Sequence, residues 1–160
     1  MQPIEHRSLD SGQELRKFSA RSEIFLATKV WTDHLAYPEV LRAAHGSLKR
    51  LGVDQIDLYL VHWPRARMPV AQTMRAMDEL VEAGQIGRAG VSNFSVEQFV
   101  QAQSASSVKL FTNQVPFAIG GSDREMLAIP KSASPERQRE NLGVFEFELT
   151  AADLSELGSA

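Results

Sequence analysis

The sequence predicts an α/β fold in which parallel strands alternate with helices, and three kinds of observation support this prediction. Short, nearly continuous apolar runs recur along the chain, as expected of strands buried in a parallel sheet. Amphipathic stretches with helical spacing lie between these runs, and turn or capping residues mark where the helices begin and end. This alternation is typical of right-handed βαβ units.

Each element is predicted from a local pattern, in chain order. The first clear helix has Pro38 in its first turn and ends before Gly52, and the second ends at Gly84. The third opens with Ser95 and Gln98, which have the spacing of a capping box. The predicted strands cover residues 23–30, 56–61, 88–91, 108–112 and 127–130, and a weak helix over 13–18 precedes them.

Composition limits the classes of protein that the chain can represent. Its 160 residues are enough for one domain, which we expect to cover 1–160, and the 43% hydrophobic content excludes a disordered chain. The absence of cysteine excludes a disulfide scaffold, a zinc ribbon and a cysteine nucleophile, and no metal site is expected. No apolar run approaches the ~20 residues of a membrane span, and no signal peptide is visible, so a cytoplasmic location is expected. With a net charge of −3 and no basic stripe, nucleic acid and membranes are not expected as partners.

Polar side chains follow every predicted strand at the point where it ends. In parallel α/β folds the carboxyl ends of the strands carry the functional site, so these side chains are the candidate site residues. They are Lys29, His62, Ser92, Asn93, Gln114, Lys131 and Ser132.

A candidate anion site follows the last of these strand ends. Ser134 and Pro135 open a short helix, whose free N–H groups attract anions. Lys131 and Arg137 bring two positive charges to the same segment. The pattern is typical of a site for an anion such as phosphate. The alternative is a solvated charged turn, which composition alone favours.

Several of these segments together resemble the aldo/keto reductase superfamily, and its bacterial diketogluconate reductase-like members most closely. The matching text is EIFLATKVW at 23–31, SLKRLGVDQIDLYLVHWP at 47–64, MDELVEAGQIGRAGVSNF at 77–94, NQV at 113–115 and IPKSASPERQREN at 129–141. The resemblance implies an incomplete (β/α)₈ TIM barrel. It also implies an oxidoreductase that uses NADPH to reduce a small-molecule carbonyl, an aldehyde or a ketone.

The resemblance assigns a role to each candidate residue. Lys29 and His62 match two members of the family's catalytic tetrad, and Trp31 and Trp63 match walls of the substrate pocket. Ser92, Asn93 and Gln114 match the groups that hold the nicotinamide carboxamide. The remaining residues match the adenosine end of the cofactor: Lys131, Ser132 and Arg137 at the 2′-phosphate, and Glu140 and Asn141 near the adenine.

The chain departs from the family pattern in two places. Residues 1–22, which give no defined prediction, lack the family motif that carries the tetrad Asp and the acid Tyr, so only Tyr37 or Tyr59 could replace the proton donor. Strand alternation places Tyr59 on the opposite face from His62. After NQV the chain passes through a junction at about 117–126 to the last strand, which indicates internal as well as N-terminal shortening, since such barrels typically need about 250 residues.

These departures leave three functional hypotheses open. The chain is an NADPH-dependent carbonyl reductase, an NADP-binding or regulatory module without catalysis, or a non-functional remnant. Missing strands would also leave open sheet edges, such as Ile24–Ala27, through which we expect self-association.

Overall fold

The computed structural model describes residues 24–116, 134–143 and 150–152. The chain divides into two compact units, Met1–Val115 and Pro116–Ala160. In the first unit, the described elements are β1 Ala27–Val30, α1 Tyr37–Leu51, β2 Ile56–Val61, α2 Val70–Glu82, β3 Ile86–Ser92, α3 Val96–Ser104 and β4 Asn113–Gln114. In the second unit, the described helix is α4 Pro135–Leu142.

The strands of the first unit form one parallel sheet in the order β1-β2-β3-β4. Lys29 pairs with Leu60, Leu60 with Gly90, and Ser92 with Gln114. Helices α1, α2 and α3 each connect two neighbouring strands, so the unit repeats βα in sequence order. This is the arrangement of half of a (β/α)₈ barrel, and the predicted fold class is confirmed.

The main core lies between the sheet and its helices. Tyr59, Val61 and Val91 point from the sheet into this core, where Val40 and Met77 meet them from α1 and α2. Tyr59 is fully buried, as its place in the strand alternation predicted. Leu58 and Leu60, on the other face of β2, are buried outside this cluster.

The helix boundaries follow the predicted signals closely. Gly52 adopts the left-handed conformation after α1, with φ of 69°, and its N–H bonds to the Leu48 carbonyl. The capping box at the start of α3 is formed by Ser95 and Gln98, as predicted. Ser134 caps α4 by accepting a hydrogen bond from the Arg137 N–H.

Two strand predictions were wrong in detail. β1 begins at Ala27 rather than at residue 23, and only Val30 is fully buried, because β1 has a single neighbour among the described strands. The strand predicted at 108–112 is instead β4 at Asn113–Gln114. Its pairing with β3 begins earlier, where the Phe111 N–H donates to the Ala89 carbonyl. Just before the predicted strand, the Ser106 hydroxyl and the N–H and hydroxyl of Ser107 donate to the Asp78 carboxylate on α2, which holds these two residues out of the ladder.

Some predictions fall outside the described residues, namely the weak helix at 13–18, the strand at 127–130, and the site residues Lys131 and Ser132. In the described ranges, no helix is long and apolar enough to cross a membrane.

Candidate active site

The candidate residues of the first unit lie at one end of the sheet. Lys29 is the last but one residue of β1, His62 directly follows β2, and Ser92 and Gln114 end β3 and β4. The parallel register aligns these ends, since Val30 pairs with Val61 and Ser92 with Gln114. The structure therefore brings together the strand-end residues that the sequence singled out in this unit.

His62 and Trp31 are in ring contact at this edge. Their ring centroids are 4.8 Å apart with an interplanar angle of 60°, which is an edge-to-face arrangement. Burial lowers the pKa of His62 below its ordinary value, and the positive charge of Lys29 lowers it further. Burial also lowers the pKa of the half-buried Lys29. At neutral pH, His62 is thus mostly uncharged and able to donate or accept a hydrogen bond.

The positive charge of Lys29 is expected to have a measurable effect on the pKa of His62. We expect the pKa of His62, followed by NMR, to lie below 6.5 and to rise in Lys29→Met, because the neighbouring positive charge is lost. It should stay below 6.5 in that variant, since the burial remains. Lys49→Met, which removes a cation from the last turn of α1, is the control and should leave the titration unchanged. A His62 pKa that does not respond to Lys29→Met would show that the two groups are not coupled.

Asn93 ties together the ends of three strands. Its backbone is left-handed, with φ of 63°, a conformation that Asn tolerates better than most residues. Its Nδ2 donates to the His62 carbonyl at 2.9 Å and to Ser92 Oγ at 3.0 Å, while its backbone N–H donates to the Gln114 carbonyl at 2.9 Å. Ser92 Oγ in turn donates to the same Gln114 carbonyl at 2.8 Å. The polar groups at these strand ends are therefore held by one hydrogen-bond network.

That network leaves specific groups available for a ligand. Both Asn93 Nδ2 protons are used, whereas no described residue donates to Asn93 Oδ1. The side-chain amide of Gln114 is half-buried and makes no hydrogen bond to the described residues. One free acceptor and one free amide thus lie at neighbouring strand ends, which suits a planar carboxamide that needs both acceptors and donors.

Two positioning contacts were missed by the sequence analysis. Asn113 makes a double clamp on Phe94, donating to its carbonyl at 2.8 Å and accepting from its N–H at 3.2 Å. Arg65 donates to Asp33 at 2.7 Å and to the Thr32 carbonyl at 3.3 Å, which joins the loops after β1 and β2. Asn at a strand end signals the first contact, whereas no local pattern signals the second.

The two tryptophans differ in their surroundings. Trp31 is half-buried beside His62, whereas the side chain of Trp63 is 47% exposed. Trp63 lies in the loop after β2, which is joined to the loop after β1 by the ion pair between Arg65 and Asp33. An exposed indole at this position is available to contact a ligand.

Neither tyrosine of the chain is free to serve at this edge. Tyr37 begins α1, its hydroxyl donates to the Glu79 carboxylate on α2, and the Arg75 guanidinium lies 4.2 Å from its ring centroid. Tyr59 is buried on the helix-facing side of β2, and this burial raises the pKa of its hydroxyl. The chain has only these two tyrosines. A tyrosine proton donor for His62 and Lys29 is therefore absent from this arrangement.

The candidate cofactor residues of the second unit lie on α4. Arg137, Glu140 and Asn141 have the i, i+3, i+4 spacing that places side chains on one helix face. Arg137 and Glu140 are exposed. Among the residues that the structure describes, no group of His, Asp and Glu is arranged to bind a metal ion.

Comparison with known proteins gives one consistent result. The sequence profile of the Aldo/keto reductase family matches residues 11–125. The Bacillus subtilis protein described as the uncharacterized oxidoreductase YtbE is 28% identical over 190 residues, covering 86% of this chain and 68% of that protein. Matches to other curated relatives cover as little as 33% of the relative.

Solved structures show the same relationship. The thermostable aldo-keto reductase Tm1743, solved with the inhibitor epalrestat, superposes with a TM-score of 0.87 at 27% identity, covering 96% of this chain and 77% of that one. An aldo/keto reductase from Klebsiella pneumoniae in complex with NADP and acetate gives a TM-score of 0.83 at 26% identity, covering 96% and 75%.

Proposed function

Since this chain belongs to the aldo/keto reductase family, we propose that its strand ends bind NADPH and present a small carbonyl compound to His62. The observation that carries the proposal is the aligned edge of Lys29, His62, Ser92 and Gln114 on adjacent parallel strands. A family member of similar structure has been crystallised with NADP. The function is that of an oxidoreductase acting on aldehydes or ketones.

The described residues fit the nicotinamide end of this cofactor. Asn93 Oδ1 would accept a hydrogen bond from the carboxamide NH₂, and the Gln114 side-chain amide would donate to the carboxamide oxygen. Ser92 fixes both residues through its bonds to Asn93 Nδ2 and the Gln114 carbonyl. The cofactor, when bound, supplies the hydride.

His62 and Lys29 act on the carbonyl group. Neutral His62 donates a hydrogen bond to the carbonyl oxygen, which stabilises the negative charge that develops there during reduction. The Lys29 charge adds to this stabilisation, because the site is partly desolvated. Trp31 and Trp63 provide apolar surface for the rest of the substrate.

Lys131, Ser132 and Arg137 are assigned to the 2′-phosphate, with Glu140 and Asn141 near the adenine. Support for this assignment is the capped start of α4 and the shared face of its three residues. Ser134 accepts the Arg137 N–H at the cap and Pro135 has no N–H, so the helix dipole and the positive charge of Arg137 are what favour an anion there.

This assignment predicts a cofactor preference. We expect NADPH to bind at least tenfold more tightly than NADH in a fluorescence titration, since charge-assisted bonds to the extra phosphate contribute about 1.5–3 kcal/mol each. Arg137→Ala should remove most of the preference, whereas Arg139→Ala, on the opposite side of α4, should retain it. Equal affinities for the two cofactors in the unmodified protein would contradict the phosphate assignment.

A second function, cofactor binding without catalysis, is favoured by the positions of the tyrosines. Tyr37 is held by Glu79 and Tyr59 faces the helices, so no phenol is available as a proton donor in this chain. A binding or regulatory module needs none. Under this second proposal, NADPH binds but no turnover is measured. If NADPH does not bind, the remaining hypothesis is that the chain is a non-functional remnant.

The internal shortening remains a proposal with one supporting observation. The alignment with YtbE extends over 190 residues, more than the 160 residues of this chain, so that relative has residues without a counterpart here. The proposed junction at about 117–126 begins next to the boundary between the two compact units. The cytoplasmic location and the single domain over 1–160 stay predictions.

The edge strands of the described sheet predict that the isolated protein self-associates in solution or exchanges its edge amides quickly. Among the described strands, β1 and β4 each pair with one neighbour, and such edges recruit strands from other chains. We expect sedimentation at micromolar concentration to show self-association, or hydrogen exchange to be fast at residues 27–30. β2, which has neighbours on both sides, is the internal reference and should exchange slowly. A compact monomer with slow exchange in β1 would mean that its edge is covered.

A further inference from the structure

A groove of about 450 Å³ lies where β3 begins, at the other end of the strand from Ser92. Arg88 and Ser92 are four positions apart in β3, which corresponds to about 13 Å along a strand. The groove is therefore separate from the candidate active site. Its walls include Val81, Val108, Phe111, Arg88, Lys109 and Ala89.

Arg88 is pre-positioned by two aromatic rings. Its guanidinium carbon lies 4.7 Å from the ring centroid of Phe111 and 5.8 Å from that of Phe25. Both rings are exposed, each at 55%. Stacking of this kind restrains the long side chain and leaves the in-plane N–H donors free, which lowers the entropy lost when an anion binds.

The two cations of the groove have no acidic partner in the part of the chain that the structure describes. The ion pairs found there join His34, Arg42 and Arg65 to carboxylates, and neither Arg88 nor Lys109 takes part. Both side chains are exposed. In a chain with net charge −3, two neighbouring cations without carboxylates are a local excess of positive charge.

The remaining lining residues of the groove indicate what kind of ligand would fit beside the two cations. Val81, Val108 and Phe111 present apolar surface beside the two cations. A simple inorganic anion would leave that surface unused, whereas a neutral apolar molecule would leave the cations unused. We infer that the groove binds a carboxylate with an aromatic or branched apolar body, its carboxylate paired with Arg88 and Lys109 and its body against Phe111 and the valines.

The test is an NMR titration of the full chain with 1-naphthoate, with neutral 1-naphthylmethanol as the matched ligand control. We expect 1-naphthoate to shift the amides of residues 87–89 and 108–111. Arg88→Gln should weaken this binding at least tenfold, because a charge-assisted bidentate contact is lost, and Lys109→Gln should weaken it less. Arg75→Gln removes a cation that is also stacked on an aromatic ring, that of Tyr37, but lies outside the groove, and it should not change the affinity.

Four outcomes would overturn the inference: equal binding of the neutral alcohol, unchanged affinity in Arg88→Gln, no binding at millimolar concentration, or shifts confined to residues 29–31 and 62–63. The last result would mean that the carboxylate uses the candidate active site instead. The groove does not involve the proposed cofactor residues, so NADPH binding and naphthoate binding succeed or fail separately.

Discussion

Turnover of a simple aldehyde with NADPH is expected to be at least a hundredfold slower in this chain than in an intact family member. A positioned acid typically contributes 10²- to 10⁴-fold to such a reaction, and no tyrosine of this chain reaches His62. The hydrogen bond from neutral His62 replaces only part of that contribution, because the low pKa of His62 disfavours the protonated form at neutral pH. The measurement is NADPH oxidation followed by absorbance, with the chain and the relative at equal concentrations.

Three variants identify the groups responsible for any residual activity. Tyr37→Phe and Tyr59→Phe each remove one hydroxyl, and both should leave the rate within twofold of the unmodified protein. His62→Gln should abolish it, because the group facing the carbonyl oxygen is lost. A large loss in Tyr37→Phe alone would show that Tyr37 leaves Glu79 during the reaction and acts as the proton donor.

Gly90→Ala is expected to lower the free energy of unfolding by about 1–3 kcal/mol or more. A Cβ at this position would lie 2.9 Å from the Thr112 carbonyl oxygen and 2.6 Å from Leu60 Cδ2. The Leu60 side chain can move, but the Thr112 carbonyl accepts the Val91 N–H and is part of the pairing between the strands. Either β3 or the segment leading into β4 must therefore shift.

Chemical denaturation of both variants measures this effect. Gly143→Ala is the control, because no atom of the described residues lies within 4 Å of a Cβ at that position and its φ of −61° suits any residue. It should change stability by no more than a few tenths of a kcal/mol. Since Gly90 is two residues before Ser92, Gly90→Ala should also weaken NADPH binding. An unchanged stability would contradict the close strand approach at Gly90.

The elements predicted well from sequence are those encoded by neighbouring residues. The end of α1 at Gly52 and the capping box of Ser95 and Gln98 depend on contacts within a few positions, so a local pattern is sufficient. His62 directly follows β2, so its placement at a strand end can also be read from the local apolar run. Its position beside the other strand ends follows from the rule that parallel strands align their carboxyl ends.

The features that the sequence did not predict depend on contacts between distant residues. The Tyr37 hydroxyl meets Glu79, 42 positions away, only because α1 packs on α2. Asp78 is 28 positions from Ser106, and its bonds to that loop delay the start of β4. The Asn93 network depends on three strand ends meeting, which no single segment encodes. The Asn93 network sets the hydrogen-bond capacity left for a ligand at the strand ends.

The most direct test of the account is an NMR titration of the chain with NADPH, monitored at the strand ends. We predict shifts at the side-chain amides of Asn93 and Gln114 and at the His62 ring, with saturation behaviour and a weaker response to NADH. The Asn93 Oδ1 acceptor and the Gln114 amide are the groups that the existing hydrogen bonds leave available, so their signals report the proposed contact. Absence of binding, or binding that leaves these three residues unchanged, would contradict the claim that this edge of the sheet is a nicotinamide cofactor site.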